Sequence, residues 1–522
     1  MNIRLLFSLL LAVSFSVAAQ KEVYLPQFIR NMDLNSSSSQ WCHARSRESD
    51  NVVVFWESGF GSDPSTTSGS YRVDMNALLD GAEKNYAFYR DSLKFAIEGS
   101  SVTDRYKLMI FLLYSTDWTA NGSGQDDLVG SLHVSVPAAN NKTVVAHEMG
   151  HCFQYITGCD GDGGYQYGLG DNGAGGNGFW EQCAQWMSFK VYPEQQFTAG
   201  DFRNYIKSNH LHILHETPRY ANYFLPDYWT WKHDLTFLGT LWRDSKRPED
   251  PVETYKRLNS LSQAQFNDEI YEHAALLTTW DLPHIRSYGE RYIDSREQVK
   301  MNSVGNNYWQ IDKSVCIENY GYNCIKLNAP EAAFPVTVHF KGDAGAGGFR
   351  TLNVDQGGWR FGFVALLKDG TRAYSETGRA DVADGTNPEQ SLAFNCPDNC
   401  SKLWLVVSGA PQEHWKHEWD DNNSNDEQWP YRVSFEYTNL LGEITATNRI
   451  VLNEHPLYGA PVISQRTVCL PDAVSWKITD LAGRLVQSGF GRAINFASYA
   501  TGGYILHYQG EHLAIMKCST RR

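Results

Sequence analysis

The hydrophobic period changes once along this chain, near residue 300, and that change limits what the chain can build. Upstream, helical and strand patterns mix. "NVVVFWE" (51–57) and "YKLMIFLLY" (106–114) are β-rich runs, and "DMNALLDGAEKNYAFYRDSLKF" (74–95) sets Leu78, Ala82, Tyr86, Tyr89 and Leu93 at helical spacing behind an Asp74 cap. "LVGSLHVSVP" (128–137) alternates through Leu132, Val134 and Val136 until Pro137 stops it, which predicts an edge strand. From about Asp201 to Arg296 the pattern is mostly helical, as in "NDEIYEHAALL". Downstream the helical signal vanishes: "FPVTVHF", "WRFGFVALL", "LWLVVSG" and "YRVSFEY" alternate with period two between Gly, Asn and Asp clusters, predicting a β-sandwich. A smaller β unit follows, with turns at Ala482-Gly483 and Gly502-Gly503. With 522 residues the chain exceeds one ordinary core. The expectation is a multidomain protein: a leader over 1–19, an α+β domain over 20–300, a β-sandwich over 301–442 and an Ig-like β domain over 443–522.

The leader is "MNIRLLFSLLLAVSFSVAAQ": a basic Arg4, an apolar run from Leu5 to Val17, and small residues at Ala18 and Ala19. These are the parts of a signal peptide, and the run is too short for a membrane span. A formal charge of −14 argues against nucleic acid and anionic membrane as partners. Ten cysteines in an exported chain predict disulfides. Proximity or shared domain suggests Cys316 with Cys324, Cys396 with Cys400 and Cys469 with Cys518, while Cys42, Cys152, Cys159 and Cys183 allow three connectivities.

The chemistry concentrates in "KTVVAHEMGHCFQYITGC" (142–159). On a helix, His147 and His151 lie one turn apart on one face and can meet a single ion, while Glu148 sits one residue round, within reach of a water on that ion. Zinc there would lower the pKa of the water, with Glu148 as general base. The same pentapeptide also occurs on ordinary surface helices, so context decides. Val144, Val145 and Ala146 bury the helix, an edge strand precedes it, and a further ligand candidate follows.

A catalytic zinc takes three protein ligands. The metzincin continuation is absent, because Gln154 and Thr157 stand where its Gly and third His would be. Past a stretch with ten glycines from Gly158 to Gly178 comes "GFWEQCAQWMSFKVY", where Glu181, Ala184, Gln185 and Ser188 share a helical face. Glu181 is the third-ligand candidate, although a carboxylate also suits a helix N-terminus. Gln185 is a candidate to orient a ligand His. This arrangement resembles the gluzincin class of zinc metallopeptidases, in which a second helix brings a Glu. The wider pattern "RSRESDNVVVFWESGFGSDPS", "AHEMGHCFQY", "FWEQCAQW" and then a β-sandwich resembles an uncharacterised family of secreted bacterial proteins on a zincin scaffold, over about 21–440. Near the end, "KITDLAGRLVQSG", "INFASYATGGYILHY" and "AIMKCSTRR" resemble the C-terminal sorting domain of type IX secretion substrates. That resemblance implies export across an outer membrane to the cell surface or medium.

Other candidates are His210, His212, His215, Arg219 and Tyr220 as donors to a developing oxyanion, and His133 as a strand residue near the metal. Asp160, Asp162 and Asp171, and the carboxylates of "HWKHEWDDNNSNDEQWP", are candidate structural calcium ligands, with a flexible loop and a solvated polar loop as the plainer readings. The expected function is that of a secreted zinc endopeptidase acting on a protein or glycoprotein substrate, with His147, His151 and Glu181 as ligands and Glu148 as base. The rival is an inactive surface protein that binds glycans or proteins, motivated by 16 Trp and 28 Tyr.

Overall fold

The computed structural model describes residues 20–167, 176–330, 334–383, 385–443, 462–463, 467–496, 498–508 and 511–517. The leader, Asp171, Cys518 and the basic tail lie outside them. The chain is multidomain, with helices and several sheets, and its contacts define two compact units. The first comprises residues up to Tyr165, Cys183–Tyr192 and Lys232–Glu249; the second comprises Gln166–Gln182, Pro193–Trp231 and everything from Asp250 onward. Much of the helical stretch before residue 300 therefore clusters with the β-rich part.

In the first unit a five-stranded sheet runs β1 (Ser46–Glu48), β2 (Val52–Trp56), β3 (Leu108–Leu113), β5 (Val129–Ser135) and β4 (Ala120–Gln125) in spatial order. β2, β3 and β5 are parallel, and β4 returns antiparallel on β5. The all-apolar β2 is buried at every position, as a parallel strand covered on both faces must be. The edge is thus β4, not the alternating run 128–137, which is internal. Pro137 does not end an edge strand but sits in the first turn of the short helix Val136–Ala139, where its missing N–H costs nothing.

Helix α1 (Met75–Ala87) begins where Asp74 accepts from the Asn76 and Ala77 amides, and it buries Leu78, Ala82 and Tyr86. Helix α2 (Lys142–Asp160) carries the His-Glu-x-x-His motif and is capped by Asn141, whose side chain accepts from Thr143 and Val144. It packs on β4 and β5, and Tyr89 donates to the Ala146 carbonyl at 2.9 Å. Helix α3 (Gly176–Val191) is continuous across the division at Gln182/Cys183, so its C-terminal part belongs to the first unit.

The second unit holds α4 (Gly200–Ser208), α5 (Phe224–Lys232) and α6 (Gln263–Thr278), the last opened by a Ser262–Gln265 capping box. Two antiparallel sheets follow. One joins β8 (Tyr322–Leu327), β14 (Cys400–Gly409), β10 (Gly358–Leu367), β11 (Arg372–Tyr374) and β12 (Gly378–Asp381); the other joins β6 (Met301–Ser303), β7 (Trp309–Ile311), β15 (Tyr431–Glu436), β9 (Phe334–Gly342) and β13 (Glu389–Cys396). Their inner faces share one core, in which Phe340 stacks on Phe361 at 4.3 Å and on Tyr431 at 5.4 Å. A further sheet combines β16 (Val462–Ile463), β17 (Thr467–Asp480), β18 (Leu485–Asn495), β19 (Gly502–Tyr508) and β20 (Glu511–Lys517) around Trp476, Ile478 and Leu506. Its β17–β18 turn is the expected one: Gly483 sits at φ +79°, and Asp480 accepts from the Ala482 and Arg484 amides.

Among the described residues the expected disulfides are not formed. Cys42, Cys152, Cys159, Cys183, Cys316, Cys324, Cys396 and Cys400 are free thiols. Cys324 shares a hydrogen bond with the Thr278 hydroxyl at 3.2 Å, Cys316 donates to the Ile317 carbonyl, and Cys396 and Cys400 are hydrogen-bonded neighbours. The Cys469–Cys518 pairing falls outside the described residues. Among the described residues no helix is long and apolar enough to cross a membrane.

Candidate metal centre

α2 is buried almost all round, and its chemistry-bearing residues are buried with it: His147 is 7 %, Glu148 7 % and His151 6 % exposed. Such close packing needs small residues at the contacts. A Cβ on Gly150 would stand 3.1 Å from the Cα of Ala184 on α3; one on Gly122 of β4 would stand 2.1 Å from the Glu148 carbonyl oxygen. Glycine at these positions lets a helix and a strand close on the motif. Ser188 ties α3 back to α2 by donating to the Thr143 carbonyl at 2.8 Å.

The Nε2 atoms of His147 and His151 face each other at 3.0 Å, with the rings perpendicular. Two nitrogens on one ion at about 2.0–2.1 Å stand about 2.9–3.4 Å apart, so the pair is spaced as co-ligands. Gln154, one turn along α2 and 1 % exposed, lies 2.7 Å from His151 through its Oε1. An amide oxygen only accepts, so His151 donates from Nδ1 and its Nε2 keeps a lone pair directed at His147. Gln154 also hydrogen-bonds the thiol of Cys183, which receives a second bond from the Trp242 indole at 3.2 Å. Burial nevertheless pushes that thiol up to about 12, and Cys183 is not in the group of ligand atoms that meet here.

Glu181 lies two residues before Cys183 on the same helix and is 7 % exposed. Its carboxylate and the two histidines each place a ligand atom within 4.8 Å of the others. The three residues singled out as ligands are therefore brought together, and the buried His/Glu group can hold a metal ion. Two imidazoles and a carboxylate, with one imidazole tautomer already fixed, fit zinc. The orienting bond to His151 comes from Gln154, whose position three residues along the same helix was the available sequence signal.

Tyr220 is 41 % exposed, but burial of its hydroxyl and the charge of Glu181 raise its pKa to about 12. It is a neutral donor near the Glu181 carboxylate. The other oxyanion candidates go elsewhere. His212 and His215 are fully buried and accept at Nδ1 from the Leu214 and Thr217 amides; burial, with His215 and Arg350, lowers His210 to about 4. Arg219 lies over the rings of Tyr220 and Trp419. His133 stacks on Phe111 at 4.7 Å, on the sheet face opposite Gly130, which touches Cys152 of α2, so it does not approach the site. Asp160 is occupied by the Val102 amide at 2.8 Å and Asp162 is exposed; neither belongs to a ligand group among the described residues. In the tract 414–430 the expected solvated loop holds only in part, since His417, Trp419, Asp426, Glu427 and Trp429 are buried.

A profile described as a family of unknown function, DUF6055, matches residues 15–442. No curated protein matches the chain.

Proposed function

The chain belongs to the DUF6055 family, and we propose that it is a zinc-dependent peptidase. The observation that carries this reading is the meeting of three buried donors: His151 Nε2 lies 3.0 Å from His147 Nε2 beside the Glu181 carboxylate, with Gln154 Oε1 2.7 Å from His151 Nδ1. His147, His151 and Glu181 would hold the ion, leaving a position open for water or substrate. Bound zinc supplies Lewis-acid polarisation of a carbonyl and a lowered water pKa. Glu148, next to His147 and not needed as a ligand, accepts a proton from the attacking water and later delivers it to the leaving amine. Tyr220 donates toward the developing negative charge. β4 closes its sheet beside α2, where Gly122 meets the Glu148 carbonyl, and this supports an extended peptide lying along that edge. The signal peptide and the resemblance of the last seventy or so residues to a sorting domain support action outside the cell.

Zinc content and cleavage of a proteome-derived peptide library test the reading together. Glu148→Gln should keep one zinc at this centre and lose cleavage. Full cleavage by that variant, or undiminished zinc in Glu181→Gln protein, would overturn the assignment.

A further inference from the structure

The second unit contains another buried ligand set. We propose that His215, Glu216 and His417 form a second divalent-cation site, with Asp426 fixing both imidazoles. His215 is fully buried, Glu216 is 3 % exposed, and His417 and Asp426 are 5 % exposed. His215, Glu216 and His417 each offer a ligand atom within 4.8 Å of the others.

His417 Nε2 is hydrogen-bonded to Glu216 Oε2 at 3.2 Å, and His215 Nδ1 lies 3.5 Å from the same oxygen. Two atoms bound to one ion stand about 2.9–3.4 Å apart, so the three donors can close on a cation with a slight shift of His215. The remote nitrogens of both rings turn to one carboxylate: His215 Nε2 is 3.4 Å from Asp426 Oδ2, and His417 Nδ1 is 3.8 Å from Asp426 Oδ1. A carboxylate behind each imidazole is the usual arrangement around metal-bound histidines.

A separate observation points to the same ligand. His215 Nε2 and Asp426 Oδ2 are fully buried, and neither has a hydrogen-bond partner. An unmade pair of this kind is costly. A cation on Nδ1 makes Nε2–H a stronger donor and draws it onto Asp426, which satisfies both atoms. In doing so it takes the lone pair that now accepts from the Thr217 amide at 2.9 Å.

Glu318 joins His215 and Asp426 in an overlapping group and pairs with Arg350 at 3.1 Å. Three buried carboxylates therefore face one guanidinium here, a surplus of acceptors that suits a bound cation. Two imidazoles and a carboxylate, without a thiolate, select a first-row transition ion such as zinc or iron(II) over calcium.

The test uses the full chain, stripped of metal and reloaded with zinc alone. Two equivalents should bind; His417→Gln and Glu216→Gln should each remove the same one, and Glu181→Gln the other. A single equivalent that Glu181→Gln removes and His417→Gln leaves would overturn the proposal. A single equivalent that His417→Gln removes would instead sustain it and sink the peptidase centre. Cobalt-loaded Glu181→Gln protein isolates the second site independently of how His417 variants fold. It should show visible absorption bands, and a colourless protein overturns the proposal.

Discussion

Gly150 of α2 and Ala184 of α3 meet so closely that a Cβ on the glycine would lie 3.1 Å from the alanine Cα. The position just before His151 is therefore what lets α2 and α3 pack. Gly150→Val should cost about 1–3 kcal/mol by overpacking and should weaken zinc binding as well, because it pushes α3 away from α2. Urea unfolding and zinc titration of the same variant check both; unchanged affinity in a destabilised protein would separate packing from ligand placement.

Gln154 contacts no metal in this scheme, yet it sets the His151 tautomer. Gln154→Leu should reduce zinc affinity by about 10–100-fold, measured by competition with a chromophoric chelator. Gln154→Glu keeps an acceptor for Nδ1–H and should restore most of that loss.

Tyr220→Phe removes a hydroxyl and no ligand. Turnover should fall by about 10²–10³-fold, as for loss of one oxyanion donor, with zinc content unchanged and KM little altered. A rise in KM at constant kcat would assign Tyr220 to substrate binding.

His273 on α6 is 3 % exposed, and neither ring nitrogen has a hydrogen-bond partner. Burial first, and then Arg296, lower its pKa to about 3. Because the folded pKa is depressed, the unfolded chain takes up the proton first as pH falls. The stability from the neutral ring is whole above about pH 6.5 and is lost toward pH 3, at a limiting slope of about 1.4 kcal/mol per pH unit. His273→Phe should flatten that acid limb in denaturation series; an unchanged limb would place the acid sensitivity elsewhere.

The parts legible in the sequence were those set by local pattern. The Asp74 cap, the buried run of β2, the motif helix and the strands around Phe340 and Phe361 follow from spacing over a few residues. β4 was hidden because "ANGSGQ" reads as a loop; it becomes a strand only because β5 pairs with it, and Gly122 permits contact with α2. Burial of His417 and Asp426 was hidden for the converse reason. Their immediate neighbours in the chain, Lys416, Glu418, Asn425 and Glu427, are polar, while the partners that cover them, His215 and Glu216, lie some two hundred residues away. The pairing of Cys316 with Cys324 failed because nearness in sequence is not thiol geometry: Cys324 spends its sulfur on Thr278.

The burial of His147, His151 and Glu181 also sets a timescale. Donors that are only 6–7 % exposed leave a bound ion little open surface beyond the one position kept for water or substrate, so its full release would need the helices around it to loosen locally. A chelator of high affinity should therefore strip the zinc-loaded protein slowly, at a rate that stops rising as chelator concentration increases. A metal held this way would exchange at the pace of the fold's own opening.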